Sequence, residues 1–335
     1  GLPLLERMVK GEVPVQQQEH GNGSCQKTSL IDAYIERMSS YIRNPASFRI
    51  VVDAGNGMAG QEVPLLFGKV PGWTLIPLYF KPDGRFPHHI PNPLIPSTTR
   101  ELQTRVVKEG AHVGVSFDGD VDRCGFIDEK GERVREDFVT ALIAGCLLKR
   151  EPGATILYDL RSSRIVPETI ARMGGKPVRT RVGHAFIKAR MRQENALFAG
   201  ELSGHYYYRD MGFIDNGLLT MVHMLNLLGE EDKPLSKLVR PLNKYSSTGE
   251  INLPVSGEEA GRVLAALEAH YPDARIDHLD GLTVDCPAWW FNIRPSHTEP
   301  VIRLNLEADT RDLMKVKKRE VFEVIRETDP SLYLP

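Results

Sequence analysis

Cysteine is scarce in this chain. There are four in 335 residues, Cys25, Cys124, Cys146 and Cys286, and no two form a C-x-x-C pair. So few exclude a disulfide framework. They read as reduced thiols of a cytoplasmic protein. No apolar run reaches membrane-spanning length, and no signal-peptide pattern occurs. Neither sign of charge is in excess, with 42 Lys and Arg against 44 Asp and Glu and a net charge of −2. That balance points away from nucleic acid and from an anionic membrane as partners. An anionic ligand would need a local cluster of basic groups.

What is present is a globular composition, 41% hydrophobic and 26% charged. The length suits two or three domains. Residues 1–28 read as an ending, with a helix tail over Leu4–Val9 and a polar loop over 11–23. A helical period runs from Ser29, the expected N-cap, to Ile42. Strands are expected at Phe48–Asp53, Trp73–Tyr79 and His112–Phe117, with a helix over Thr98–Glu109. A second strand–helix series covers Thr155–Tyr158, Arg164–Met173, Pro177–Arg181, His184–Glu194 and Ala196–Ala199. Such alternation implies parallel pairing within α/β units. The last stretch differs, since the strands at 250–255, 274–277, 281–286, 289–294 and 302–308 are joined by two helices at 257–270 and 311–328. The expected fold is therefore two successive α/β domains with mixed sheets, then a smaller α+β domain. We place the boundaries at 1–28, 29–132, 133–246 and 247–335. No tandem repeat of repeat-protein period occurs.

Three loops carry chemistry. Asp118-Gly119-Asp120-Val121-Asp122-Arg123 sets three carboxylates at alternate positions after an apolar strand. Carboxylates this close are costly unless a cation neutralises them, and an all-oxygen set suits Mg²⁺ or Ca²⁺. An EF-hand is excluded, because Arg123 stands where its loop needs Gly and the flanks read as strands. Gly200-Glu201-Leu202-Ser203-Gly204-His205 groups a carboxylate, a hydroxyl and an imidazole able to bond sugar hydroxyls. Arg294-Pro295-Ser296-His297-Thr298-Glu299-Pro300, with Arg303 beyond, forms an anion cradle. A fourth feature, Gly55-Asn56-Gly57-Met58-Ala59-Gly60, is a G-x-G-x-x-G after a strand, with Asp83 further on. It is the argument for an NAD-dependent dehydrogenase. That reading leaves two of the other loops idle, so we assign these glycines to a tight strand–helix turn.

Together the three loops resemble those of the α-D-phosphohexomutase superfamily, in its phosphomannomutase/phosphoglucomutase branch. The family's D-G-D-x-D-R, G-E-x-S-G-H and R-x-S-N-T-E-P loops are matched in order, the last apart from His297. The segments 53–57, 159–163 and Gly183-His184 also look familial. The resemblance implies interconversion of hexose 1-phosphate and hexose 6-phosphate through a hexose 1,6-bisphosphate, with a phosphoserine as donor. It implies that Asp118, Asp120 and Asp122 hold Mg²⁺ and that Arg123 and Arg161 lie near the reacting end of the sugar. Glu201 and Ser203 would read two sugar hydroxyls. Arg294, Ser296 and Thr298 would grip the other phosphate, with His297 and Arg303 beside them. His184 and His205 would border the site.

Val121 departs from the Gly or Ala common in the metal loop, and His297 from the usual Asn. The family's first domain, with a T-A-S-H-N-type serine loop, has no counterpart in these residues. The chain opens on Gly, and it reads as the end of that domain plus three complete ones. We therefore expect it to be inactive alone. The alternatives are a non-catalytic sugar-phosphate-binding protein and a phosphoglucosamine mutase. Leu202 argues against the latter, whose loop more often reads G-E-Q-S-G-H.

Overall fold

The computed structural model describes residues 2–14, 23–43, 46–255, 257–296 and 299–328. Two compact units divide at Tyr34. The first holds α1 (Leu2–Val9) and the start of α2 (Ile31–Ser39). Tyr34 N donates to the carbonyl of Leu30 at 2.9 Å. Leu30, one residue beyond the expected Ser29, therefore stands at the amino end of α2. The helix stops at Ser39, short of Ile42.

The second unit contains three five-stranded sheets. The first is built from β1 (Phe48–Asp53), α3 (Ala59–Phe67), β2 (Trp73–Leu78), α4 (Arg100–Glu109), β3 (Val113–Phe117), β4 (Cys124–Ile127) and β5 (Arg133–Val134). Its strand order is β2-β1-β3-β4-β5. β1 runs parallel to β2 and β3, while β4 and β5 turn back antiparallel. Ile50, Val51 and Val52 are wholly buried, as expected of a central parallel strand covered on both faces.

The second sheet follows α5 (Glu136–Leu148) and comprises β6 (Thr155–Asp159), α6 (Ile165–Arg172), β7 (Lys176–Thr180), α7 (His184–Glu194), β8 (Phe198–Gly200), β9 (Tyr206–Tyr208) and β10 (Ile214–Asp215). α8 (Gly217–Glu231) and α9 (Leu235–Val239) complete it. Its order, β10-β9-β8-β6-β7, is that of the first sheet element for element. Again two parallel pairs at β6 give way to antiparallel β9 and β10. The sequence did not announce α5 or α8. Both are buried nearly all round, so neither shows the one-sided period by which a surface helix is recognised.

The third sheet is antiparallel throughout, in the order β11-β15-β14-β13-β12. It contains β11 (Ser246–Leu253), α10 (Gly257–His270), β12 (Arg275–Asp277), β13 (Leu282–Cys286), β14 (Trp289–Pro295), β15 (Ile302–Ala308) and α11 (Arg311–Thr328). One face buries Phe291, Ile293, Leu304 and Leu306 in a core with Val263, Leu267, Val321 and Ile325 of α10 and α11. The alternate residues Asn292, Arg294, Asn305 and Glu307 are polar and also buried. A strand's side chains alternate between faces, so these groups share the other face. The expected architecture of two mixed α/β sheets and a closing α+β sheet is what the chain forms.

Candidate active site

The acidic loop joins β3 to β4 at the carboxyl end of β3, where open α/β sheets place their ligands. Oxygens of Asp118, Asp120 and Asp122 lie within 4.8 Å of one another. Asp118 is buried, and Arg123 closes on it, with Nε 2.7 Å from Oδ2 and the backbone N 3.1 Å from Oδ1. Burial and the neighbouring Asp122 push Asp118 up to about 7, against the pull of Arg123. Asp122 Oδ1 is buried with no hydrogen-bond partner. Crowded, under-neutralised carboxylates with an oxygen to spare fit a hard divalent cation such as Mg²⁺.

Backbone holds this loop from two sides. Met58 N donates to Gly119 O at 3.0 Å, and Gly217 N to Val121 O at 3.0 Å. A Cβ on Gly57 would come within 2.6 Å of Gly119 O, and one on Gly217 within 2.7 Å of Val121 O. Gly60 has the same constraint, since its Cβ would meet Phe80 O at 2.0 Å. These close approaches account for two glycines of the G-x-G-x-x-G segment as structural. Val121 adopts φ 69°. A β-branched residue there is strained, by roughly 1–3 kcal/mol, so the departure at this position has an energetic cost.

The sugar-type loop occupies the equivalent place in the second sheet, between β8 and β9. The two loops touch: Arg123 and His205 form an antiparallel bridge, and Cys124 N donates to Gly204 O at 3.2 Å. His205 Nδ1 is 2.7 Å from Ser203 Oγ, and its Nε2 is 3.5 Å from Asp122 Oδ2. Burial works against a charge on His205, but Asp122 and Glu201 outweigh it and raise it to about 9. Glu201 is buried and accepts from Tyr207 Oη at 3.0 Å. His184 meets His205 edge to face at 4.1 Å, and its Nδ1 lies 3.0 Å from Asp215 Oδ2. Lys188 Nζ is 3.0 Å from the other oxygen of Asp215. Burial raises Asp215, yet His184 and Lys188 hold it below the usual carboxylate range.

Arg161 extends the network toward the third sheet. It pairs with buried Asp159, lies 3.7 Å from Glu201 Oε1 and reaches Glu250 Oε2 at 3.2 Å. Burial opposes its charge, but Asp159 dominates the outcome and the guanidinium is held more firmly protonated than usual. Arg294 and Arg303 sit opposite each other on β14 and β15, and both approach Glu250, at 3.4 and 3.8 Å. Ser296 lies in the turn after β14, where its Oγ accepts from Glu299 N at 3.3 Å. His297 and Thr298 lie outside the described residues.

An unbroken run of polar contacts therefore leads from Asp122 through His205, Glu201 and Arg161 to Glu250 and the arginine pair. Three residues in this run or directly beside it had no sequence signal of their own. Asp215 and Glu250 are single acids in ordinary strands, and Tyr207 is one of three adjacent tyrosines. Asp159 had a signal available, since it stands at the end of β6 as Asp53 does at the end of β1. Each accepts the backbone N–H two residues on, at 2.8 Å.

The fold and this polar crevice define a multidomain α/β protein with its site at the carboxyl ends of the strands. Three segments match successive parts of one family: phosphoglucomutase/phosphomannomutase alpha/beta/alpha domain II over 31–131, domain III over 135–245, and the C-terminal domain over 250–324. A phosphomannomutase of Salmonella montevideo is 35% identical over 336 residues, covering 97% of this chain and 73% of that protein. A phosphomannomutase of Methanocaldococcus jannaschii is 43% identical over 251 residues, 75% of this chain but 56% of its own length. A phosphoglucomutase/phosphomannomutase family protein of Burkholderia thailandensis, known by crystallography, superposes with a TM-score of 0.89 at 31% identity. That match covers 100% of this chain and 71% of the other. The chain belongs to the phosphoglucomutase/phosphomannomutase family and spans only part of the length of these relatives.

Proposed function

We propose that this chain carries the metal, sugar and phosphate sites of a phosphohexomutase, which interconverts hexose 1-phosphate and hexose 6-phosphate through the 1,6-bisphosphate. The observation that carries this reading is the continuous polar path joining the three loops. Asp118, Asp120 and Asp122 would hold Mg²⁺, which when bound neutralises charge on a transferring phosphoryl group. Arg123 orients the reacting end of the sugar, while Arg161 spans from the sugar-reading Glu201 to the phosphate side at Glu250. Glu201, fixed by Tyr207, and Ser203 accept and donate to ring hydroxyls. His205, set between Glu201 and Asp122, and His184, against its ring, border the sugar for proton transfer or phosphate contact. Arg294, Ser296 and Arg303, with His297 and Thr298, grip the phosphate that is not reacting. A bisphosphate that turns end for end finds a site for either end.

Calorimetric titration with glucose 1,6-bisphosphate tests this. The chain should bind it, more tightly with Mg²⁺ than without. Arg294→Ala should weaken binding by about tenfold or more, the worth of one charge-assisted phosphate contact. Failure of the wild-type chain to bind would overturn the reading. The 335 residues include no T-A-S-H-N loop, so binding without turnover of glucose 1-phosphate is expected. Turnover by the purified chain would refute that part.

A further inference from the structure

We propose that Glu250 occupies the anion seat of the phosphate loop and has to leave it before a phosphate group binds there. The inference rests on the phosphate-site reading above. Glu250 lies on β11, just beyond an irregularity in the pairing with β15 and next to Gly249, whose φ is 68°. It pairs with Asn305, two residues along β15 from Arg303, which faces Arg294. Strand alternation puts all four side chains on one face.

Three guanidinium groups converge on this one carboxylate. Oε2 is 3.2 Å from Arg161 Nη1, 3.4 Å from Arg294 Nη2 and 3.4 Å from Asn305 Nδ2. Oε1 is 3.8 Å from Arg303 Nη1. A tight guanidinium–carboxylate pair closes to about 2.7–2.9 Å, so Glu250 fills the seat loosely. Donors are left over. The Nε groups of Arg294 and Arg303 are buried without a hydrogen-bond partner. Among the described residues Glu250 is the only carboxylate within 4.0 Å of Arg294, whose side chain is 4% exposed. One carboxylate offers two oxygens to this set, and a phosphate offers three.

The carboxylate also has open space beside it. Its side chain is 27% exposed. It borders a cavity of about 600 Å³ lined by Arg161, Leu202, Ser247 and Asn305 among others. Phosphate and carboxylate cannot share the arginines without repulsion. Glu250 therefore holds the arginines in register until a phosphate arrives and competes with each phosphate for them. In a site that has to release a phosphate and accept the other end of the same molecule, such competition favours release.

The test is titration of inorganic phosphate into the wild-type chain and into Glu250→Gln, Glu250→Ala and Arg294→Ala at one neutral pH, with folding checked by thermal melts. Both Glu250 variants should bind phosphate about tenfold more tightly than wild type, and Arg294→Ala should lose binding. If both Glu250 variants bind no more tightly than wild type while Arg294→Ala loses binding, the phosphate site stands and the role of Glu250 is overturned. If Arg294→Ala binds phosphate as wild type does, the site reading fails and this inference falls with it.

Discussion

Val121 is held in the left-handed region at φ 69°, buried in the acidic loop between Asp120 and Asp122 in sequence. Its carbonyl accepts from Gly217 N, and Gly217 has no room for a Cβ against it. Gly217→Ala should therefore displace the loop more than it disturbs α8, where alanine itself is favoured. The expected result is a Mg²⁺ affinity lower by about tenfold or more, read from the metal dependence of the melting temperature. An unchanged Mg²⁺ dependence would contradict the proposed coupling. The acidic loop was legible in the sequence because like charges at alternate positions demand an explanation. Gly217 and Asp215 were not, because each acquires its role only where two sheets meet.

At the scale of elements, the first two sheets share one connectivity, and the acidic loop and the sugar-type loop occupy the same position in each. Strands and most helices could be read from periodicity and turn residues. The equivalence of the two sheets could not, because it lies in strand order and not in repeated residues. α5 and α8 escaped for a different reason, since burial on every side erases the period. α8 also buries His223 among Tyr208, Tyr41 and Arg43. Burial first, then the charge of Arg43, lowers His223 from 6.5 to about 3. Below pH 6.5 the unfolded chain takes up a proton that the folded chain refuses. Stability is therefore lost as the pH falls from 6.5 toward 3, by at most about 1.4 kcal/mol per unit. Urea unfolding of His223→Phe, which keeps a ring in the stack, should show a shallower loss than wild type between neutral pH and about 5. Equal slopes would remove His223 as the cause.

At the scale of the whole molecule, Arg164 at the start of α6 ties the second sheet to the third. Its guanidinium reaches Asp285, the carbonyl of Cys286, and the carbonyls of Pro287 and Trp289 at 2.8 and 3.1 Å. Its backbone N donates to Glu307 Oε1 at 3.0 Å, an atom that also accepts from Trp290 Nε1 at 3.0 Å. One side chain thus meets a carboxylate and three carbonyls of the third sheet. Arg164→Ala should lower the stability of the docked state by about 2–4 kcal/mol and split calorimetric unfolding into two transitions, the third sheet melting first. A single cooperative transition at the wild-type temperature would show that the sheets hold together without it. The order of the three loops along the chain was evident from the sequence, but not the contacts that bring them into one crevice. Between the second sheet and the third those run through Arg161, Arg164 and Glu250, none of which a local pattern singles out as a bridge.

The close backbone approaches at Gly57 and Gly217 bear on how this chain can change over generations. A lost carboxylate leaves a gap that another acid nearby can fill, so the acidic loop has routes of repair. A methyl group set against a carbonyl has none short of rerouting the main chain. In a deep substitution library, second-site rescue should therefore be found for changes in the acidic loop and not for changes at these two glycines. The tightest limits on the loop's descent would then lie outside the loop itself.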